Sequence, residues 1–319
     1  MIQHVPMTRK LFFLSAAFFF FAAIAFAADY THGACVRVAP MYLSPSADSA
    51  HLGDITRGRE VVILEKSREW LHVQANVATK PTEERIVSGW ILDKGIVLQT
   101  SSDGPKILYG EAVDSEDEAS RRRGRRGADL DALRLYYRVY DMFPASPLAG
   151  EALYRAADIR WQLEKADIMT KPSAQEQDAY LRGEIDTEWM KLVTKKFPGT
   201  KWADLAVFQM LDNKMCGDWK GASRCPEKEA DIYEKFANEH PQSTKAPEAL
   251  YDAAWRYSAL IEIYKSEDTP KKSDEARTKA LNLAQKVSSQ YPDSDWGARA
   301  LRLVFLIQQN VPTWGNNNQ

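Results

Sequence analysis

The side chains that most often do chemistry are few in this chain and far apart. The 319-residue sequence has five histidines and three cysteines, which could supply a Cys–His catalytic pair or ligands for a metal. It contains neither a His-Glu-x-x-His motif nor a Gly-x-Ser-x-Gly nucleophile turn. We therefore expect a non-enzymatic protein without a cofactor. The histidines beyond the first ten residues are His32, His51, His72 and His240.

The cysteines predict one disulfide. Cys216 and Cys225 bracket the polar segment "GDWKGASR", and a bridge between them would close a loop of about ten residues and stabilise the fold by about 2–3 kcal/mol. Two unpaired thiols are the alternative. Cys35 is left over; it follows "HGA", which lacks the aliphatic residue of a lipoprotein signal, so we expect a buried thiol rather than a lipidated one.

The first 27 residues are typical of a secretory signal peptide. Arg9 and Lys10 precede an uncharged run of 18 residues, "LFFLSAAFFFFAAIAFAA". We expect cleavage after Ala27 and export to the periplasm or cell envelope, with no membrane span left; retention as an anchor is the alternative. Cleavage removes two positive charges and no acids, which changes the formal net charge from −2 to −4, so we expect no attraction to nucleic acid.

Residues 30–99 are predicted to form a small all-β unit. Short segments rich in β-branched and aromatic residues, separated by polar turns, are typical of strands; they are "ACVRV", "EVVIL", "WLHVQ" and "SGWILD". About five such strands favour a barrel or a sandwich. Trp70 and Trp90 would supply much of the buried area of so small a unit.

This unit resembles the bacterial SH3-like (SH3b) domain over residues 34–98. The resemblance rests on Ser44 to Ser46, Leu52-Gly53 with Gly58, Trp70 with Val73, and Gly89-Trp90-Ile91. It implies a small barrel that binds cell wall, with peptidoglycan as a candidate ligand, or a peptide. An aromatic cleft suits a sugar ring or a peptide side chain, so the candidate ligand-binding residues are Tyr42, Trp70 and Trp90; the alternative is that both tryptophans are core residues.

Residues 100–128 are predicted to be a charged linker or a first helix. Five arginines lie between Arg121 and Arg126, and acids precede them. On a helix, Asp117 would pair with Arg121 and Glu118 with Arg122 at i,i+4 spacing. A salt-bridged helix or a flexible hinge is therefore favoured over a site for anionic lipid or cell-wall polymer.

One phrase occurs four times between residues 143 and 301. It reads "FPASPLAGEAL", "FPGTKWADLAV", "HPQSTKAPEAL" and "YPDSDWGARAL", with prolines at 144, 198, 241 and 292. Each proline follows an amphipathic run and should end that helix. The Ser or Thr two residues later should cap the next helix, and Pro147 suits a first helical position. His240 precedes its proline where the other copies have an aromatic residue, so we expect it to pack.

The helix after each proline has two distinct faces. Counted as offsets from the proline, positions 5, 8, 9, 12, 13 and 16 form an alanine-rich side for helix packing. Offsets 7, 10 and 14 lie opposite and carry aromatics beside carboxylates, which suits a peptide with apolar and basic side chains. Packing of these aromatics on neighbouring helices is the alternative. The candidate strip, as we call it, comprises Glu151, Tyr154, Asp158, Phe208, Asp212, Glu248, Tyr251 and Trp255.

The repeats of residues 129–309 resemble divergent tetratricopeptide (TPR-like) repeats of Gram-negative envelope proteins, such as those of outer-membrane assembly and the Tol-Pal system. The resemblance rests on the Tyr-Pro-x-Ser junction, present at Tyr291. It implies an all-α solenoid whose concave surface, here the candidate strip, binds a protein partner.

Together these patterns predict a multidomain protein, with an SH3-like β-barrel, a TPR-like helical solenoid, and a flexible tail over residues 310–319. The expected function is an exported cell-envelope adaptor or scaffold. The alternative is an accessory or regulatory subunit of a peptidoglycan hydrolase, or such a hydrolase itself.

Overall fold

Strands come first and helices follow, in the two-part order that the sequence predicts. The structure, a computed structural model, describes residues 30–80 and 83–314. The predicted signal peptide, residues 1–27, lies outside the described residues. No helix within the described ranges combines the length and the apolar character that crossing a membrane requires.

Within the described residues, seven antiparallel strands form one sheet in the order β3-β2-β6-β5-β4-β1-β7. Strand β3 also pairs with β5, at Asp54 and Ala78, so that β3, β2, β6 and β5 form a closed ring of pairings. The strands are β1 (Thr31–Cys35), β2 (Ala39–Tyr42), β3 (His51–Ile55), β4 (Glu60–Ser67), β5 (Trp70–Lys80), β6 (Glu83–Leu92) and β7 (Ile96–Leu98).

The β5–β6 hairpin is longer than the two segments that the sequence predicted as strands. Pairing continues out to Lys80 and Glu83, because the alternation of apolar residues continues: Val73, Ala75 and Val77 are all buried. Cys35 is buried at the end of β1, as expected of a structural thiol, and burial raises its pKa to about 12.

Ten α-helices follow within residues 101–314, and consecutive long helices pack on one another. Short 3₁₀ turns occur at Pro172–Gln175 and Met210–Lys214. The helices are α1 (Gly104–Ser120), α2 (Ala128–Met142), α3 (Ala149–Met169), α4 (Ala179–Arg182), α5 (Glu188–Lys196), α6 (Lys201–Gln209), α7 (Arg224–Glu239), α8 (Ala246–Ser266), α9 (Pro270–Gln290) and α10 (Asp295–Gln308).

The repeated phrase ends a helix in the same way in all four copies. The residue before each proline leaves the helix with φ between −125° and −131° and ψ between 50° and 56°; these residues are Phe143, Phe197, His240 and Tyr291. Proline disfavours helical geometry at the preceding residue, which explains the shared conformation. His240 stacks on Phe236 with ring centroids 4.9 Å apart, in the packing role expected of it.

The start of the next helix follows the prediction in two copies and departs from it in two. Thr200 and Ser294 are N-caps whose hydroxyls accept from the backbone N–H three residues on. The hydroxyls of Ser146 and Ser243 instead accept from the N–H two residues on, and α3 and α8 begin one residue later still. Pro147 therefore lies in the turn that precedes α3 and not at its first position, which corrects the prediction.

The alanine-rich side is buried in the first and third copies, as predicted, but only in part in the second and fourth, where Lys214, Leu301 and Phe305 are exposed. Every third-copy position on that side is buried, and so is every first-copy position except Arg160, which is half-buried and forms ion pairs with Glu164 and Asp186. The buried set comprises Ala149, Ala152, Leu153, Ala156, Ala157, Ala246, Ala249, Leu250, Ala253, Ala254 and Tyr257.

Residues 100–128 form a helix rather than a linker over most of their length. Leu108 and Ala112 of α1 are buried in one cluster with Ala34 and Val36 of the strands. Glu111 pairs with Arg57 and so ties α1 to the sheet.

The arginine run itself lies beyond the helix. Because α1 ends at Ser120, the predicted i,i+4 geometry is lost, and Arg121 pairs with Glu118 at 3.0 Å instead of with Asp117. Arg125 reaches Asp131 of α2 at 2.6 Å.

Candidate functional site

The three aromatic residues predicted to bind a ligand in the strand unit share one face of the sheet. Met41, Leu71 and Ile91 are buried in the core, so their neighbours Tyr42, Trp70 and Trp90 point to the opposite face. The strand register sets Tyr42 directly beside Trp90 on β6. His72 of β5 is the other cross-strand neighbour of Trp90. The structure therefore brings the predicted residues together.

These rings contact one another in pairs. Tyr42 meets Trp70 edge-on, with ring centroids 5.8 Å apart and planes at 87°. His72 stacks on Trp90 at 4.9 Å, and His51 lies 5.8 Å from Tyr42. We call these five rings the aromatic face. Trp70 is only 9% exposed, whereas Tyr42 and Trp90 are half-buried and keep area for a ligand.

The aromatic residues of the candidate strip lie between consecutive repeats, and each is half-buried. At offset 10, Tyr154 stacks on Trp202 at 5.7 Å, and Tyr251 packs against Trp296 at 5.4 Å. Each of these tryptophans lies at offset 4 of the copy that follows: Trp202 in the second copy and Trp296 in the fourth. Packing on neighbouring helices therefore uses part of each ring and leaves part exposed.

The same relationship joins the second copy to the third. Lys245, at offset 4 of the third copy, holds its Nζ 5.2 Å from the ring centre of Phe208, at offset 10 of the second. This cation–π contact takes the place of the aromatic pair. Sequence analysis did not include the offset-4 residues, although two tryptophans and a lysine at one repeated position were a visible signal.

The carboxylates of the candidate strip are mostly matched by neighbouring cations. Glu248 pairs with Lys245 at 2.6 Å, Asp212 with Lys165 at 2.7 Å, and Glu151 lies 4.0 Å from an Arg155 nitrogen. The charge on these residues is thus largely balanced within the chain.

Asp158 differs from these carboxylates. Its Oδ1 accepts a hydrogen bond from the neutral amide of Gln162 at 3.1 Å. Burial raises the pKa of Asp158 and the negative charges of Glu116 and Asp212 raise it further, while the Gln162 hydrogen bond and the charge of Lys165 oppose the shift only in part. A cation brought to this point would relieve that unfavourable electrostatic environment.

Asp252 is another carboxylate with a raised pKa, and sequence analysis did not select it. It lies one residue from Tyr251 on α8, and burial raises its pKa to about 6. Arg256 opposes that shift from 3.7 Å away. Asp252 lies at offset 11 from Pro241, which is outside the three offsets assigned to the candidate strip.

Trp255 belongs to a cluster built by the disulfide loop. Cys216 and Cys225 form the predicted disulfide, with Cα atoms 6.0 Å apart. Trp219, inside that loop, packs against Trp255 with ring centroids 5.4 Å apart. Arg256 holds its guanidinium carbon 5.6 Å from the Trp255 ring centre.

A buried carboxylate holds this loop in place. Glu229 of α7 is 2% exposed and accepts from the Cys216 backbone N–H at 2.9 Å and from the Trp219 indole N–H at 3.2 Å. Arg256 of α8 donates to its second oxygen at 2.7 Å. Nothing in the local sequence around Glu229 signals this role, because its partners lie on two other segments, the disulfide loop and α8.

Among the described residues, no group of three His, Cys, Asp or Glu side chains is arranged to hold a metal ion. No protein-family model matches the chain, and no curated protein matches it.

Proposed function

We propose that this protein is an exported, non-enzymatic adaptor of the cell envelope. Its helical part docks a protein partner along the candidate strip, and its strand unit holds cell wall or a peptide on the aromatic face. The observation that carries the proposal is the candidate strip itself, where half-buried rings alternate with carboxylates along α3, along α6 with the 3₁₀ turn after it, and along α8. Rings that exclude water beside charged groups are typical of protein-binding surfaces.

Two features of the fold support the family resemblances behind this proposal. The closed ring of pairings among β3, β2, β6 and β5 is what a small SH3-like barrel needs. The contact between offset 10 of one copy and offset 4 of the next recurs three times along the helices. A contact repeated between successive units is the defining property of a TPR-like array.

The chemistry of the candidate strip favours a partner segment with basic and apolar side chains. Asp158 and Asp252 have raised pKa values because burial disfavours their charged forms. A lysine or arginine from the partner would stabilise both charges, and the rings beside them would bury its apolar neighbours. The Cys216–Cys225 disulfide and the predicted signal peptide support the exported location.

The docking proposal is tested with two labelled peptides in fluorescence anisotropy. Both are twelve residues long and alternate leucine or phenylalanine with a charged residue, lysine in one peptide and glutamate in the other. We expect the basic peptide to bind at least tenfold more tightly. Replacing Asp158→Asn together with Asp252→Asn should weaken its binding by about tenfold, since two favourable charge interactions are lost.

Matched controls separate this effect from bulk charge. The pair Asp293→Asn and Glu275→Gln removes two exposed acids outside the candidate strip and should leave the affinity unchanged. Equal binding of the two peptides would overturn the docking proposal.

The strand unit is tested on insoluble peptidoglycan. The protein should co-sediment with it. Trp90→Ala should reduce the bound fraction because it removes one ring of the half-buried His72–Trp90 stack. Loss of turbidity of the suspension during incubation would instead support the hydrolase reading.

A further inference from the structure

A short segment after the last helix lies on the tryptophan cluster of the disulfide loop. Helix α10 ends at Gln308, and Asn310 has a left-handed φ of 55°, so the chain reverses direction there. Arg277 holds the Asn310 side chain at 2.6 Å. Residues 311–314, "VPTW", belong to the segment predicted as a flexible tail, and Thr313 contacts Ser258 of α8.

Two side chains of this segment make specific contacts. The Thr313 hydroxyl is 2.7 Å from the hydroxyl of Ser258, which is 2% exposed on α8. The Trp314 ring lies 6.1 Å from Trp219 with the planes at 31°, and close to Gly221 of the same loop. Trp219 therefore neighbours both Trp255 and Trp314.

Residues 311–314 are held on the surface by side-chain contacts and not by regular secondary structure, as is common for a bound peptide. Pro312 has no backbone N–H, and residues 311–314 belong to no helix or strand. Val311, Thr313 and Trp314 are all half-buried. The surface beneath is cross-linked by the Cys216–Cys225 disulfide and by the hydrogen bonds of the buried Glu229.

We propose that Trp219, Trp255 and Ser258 form a binding site for a short non-helical peptide that presents a hydroxyl-bearing residue followed by an aromatic residue, and that residues 311–314 occupy this site as a built-in competitor. The inference rests on the proposed function, because Trp255 is also part of the candidate strip. It adds to that function the type of residues by which the partner would be anchored, and it names the segment of this chain that the partner would displace.

The effect of the tethered segment on peptide affinity can be estimated. A segment joined by a short linker has an effective concentration of about 1 mM at its own site. If the free peptide binds the open site with a Kd of about 0.1 mM, the tethered segment occupies it about ten to one. The intact chain should then bind the same peptide about tenfold more weakly than a chain without the segment.

The test uses a fluorescein-labelled, C-terminally amidated peptide, QNVPTW, which copies residues 309–314. Fluorescence anisotropy compares the full chain, a chain that stops at Asn310, and the full chain with Trp314→Ala. We expect the shortened chain and Trp314→Ala to bind the peptide with a Kd below 1 mM and about tenfold more tightly than the full chain. The peptide QNVPTA should bind at least tenfold more weakly.

Receptor variants in the shortened chain locate the site. Trp255→Ala and the milder Ser258→Ala should each weaken binding, and Trp202→Ala, which removes a ring from the Tyr154 contact, should not. Circular dichroism checks that each variant is folded. The inference is overturned if the shortened chain binds QNVPTW no better than the full chain, or if QNVPTA binds equally well.

The outcome also separates this inference from the function it rests on. If the lysine peptide binds the full chain with its expected sensitivity to Asp158→Asn, and QNVPTW binds none of the chains, the docking function stands and the anchor site is wrong.

Discussion

Tyr251 of α8 packs against Trp296 of α10 with ring centroids 5.4 Å apart and planes at 42°, and Tyr154 of α3 meets Trp202 of α6 at 5.7 Å and 28°. Both pairs join offset 10 of one copy to offset 4 of the next. One type of contact therefore joins successive repeats and at the same time supports the candidate strip. The rings that join the repeats are therefore the same rings that the proposed function assigns to partner binding.

The first prediction concerns the energy of that contact. In a double-mutant cycle of Tyr251→Leu and Trp296→Leu, urea unfolding should give a coupling energy of about 0.5–1.5 kcal/mol, as is usual for packed aromatic pairs. The distant pair Tyr251→Leu and Trp202→Leu serves as the control and should be additive. Coupling near zero in the first cycle would mean that the rings are adjacent without stabilising the repeat junction.

The second prediction concerns Asp252 and pH. Burial raises its pKa to about 6 from 3.8, so the folded state holds a proton that the unfolded chain has released between these values. Stability therefore decreases as pH rises from about 4 to 6, by at most about 3 kcal/mol from this group. Asp252→Asn should raise the free energy of unfolding at pH 7 and leave it almost unchanged below pH 4.

Urea titrations at pH 4 and pH 7 measure this effect. Asp293→Asn, at an exposed position, is the control and should change stability by less than about 0.5 kcal/mol at either pH. A loss of stability at pH 7 in Asp252→Asn would show that the Arg256 contact outweighs the burial of the carboxylate.

The third prediction concerns the disulfide loop. Cys216→Ser with Cys225→Ser should lower the free energy of unfolding by about 2–3 kcal/mol, because the unfolded chain gains the freedom of an open loop of about ten residues. Trp219 should also move relative to Trp255, which near-ultraviolet circular dichroism detects. Cys35→Ala is the matched control for thiol loss and should leave that signal in place, since Cys35 is buried in the sheet.

The fourth prediction separates the two tryptophans of the aromatic face. Trp70→Ala should destabilise the protein by about 3–5 kcal/mol, because that ring is almost fully buried. Trp90→Ala should cost clearly less in urea unfolding, since its ring is half-buried, and yet should reduce ligand binding. If both variants lose the same stability, Trp90 is a packing residue and the aromatic face has no free ring there.

The fifth prediction concerns the join between the sheet and α2. Gly58 has φ of 73°, and a Cβ there would lie 2.5 Å from the Cβ of Arg134. Gly58→Ala therefore combines backbone strain with a steric clash and should lower the melting temperature markedly. Gly199→Ala is the control, because Gly199 has a similar φ of 70° but open space around it. A smaller effect at Gly58 than at Gly199 would contradict the tight packing.

Local patterns in the sequence predicted the features that depend on residues close together in the chain. A proline ends each helix at the residue before it, and four residues from Phe143 to Tyr291 share one conformation for that reason. The alanine side was predictable because helical periodicity alone places those residues on one face. Strand positions followed from alternation, although the hairpin was longer than expected. The Cys216–Cys225 bridge followed from the short separation of the two cysteines.

The tertiary structure decided everything that depends on residues distant in sequence. Trp219, Glu229, Arg256 and Trp314 come from four separate segments, and only their folding together forms one cluster. The Tyr154–Trp202 contact likewise needs two helices side by side. The sequence by itself determined where the helix before each repeated proline ends and which positions alternate along the strands, because those features arise from neighbouring residues. Which rings meet, and which carboxylates lose their water, was decided by packing between elements, because burial is a property of the whole fold.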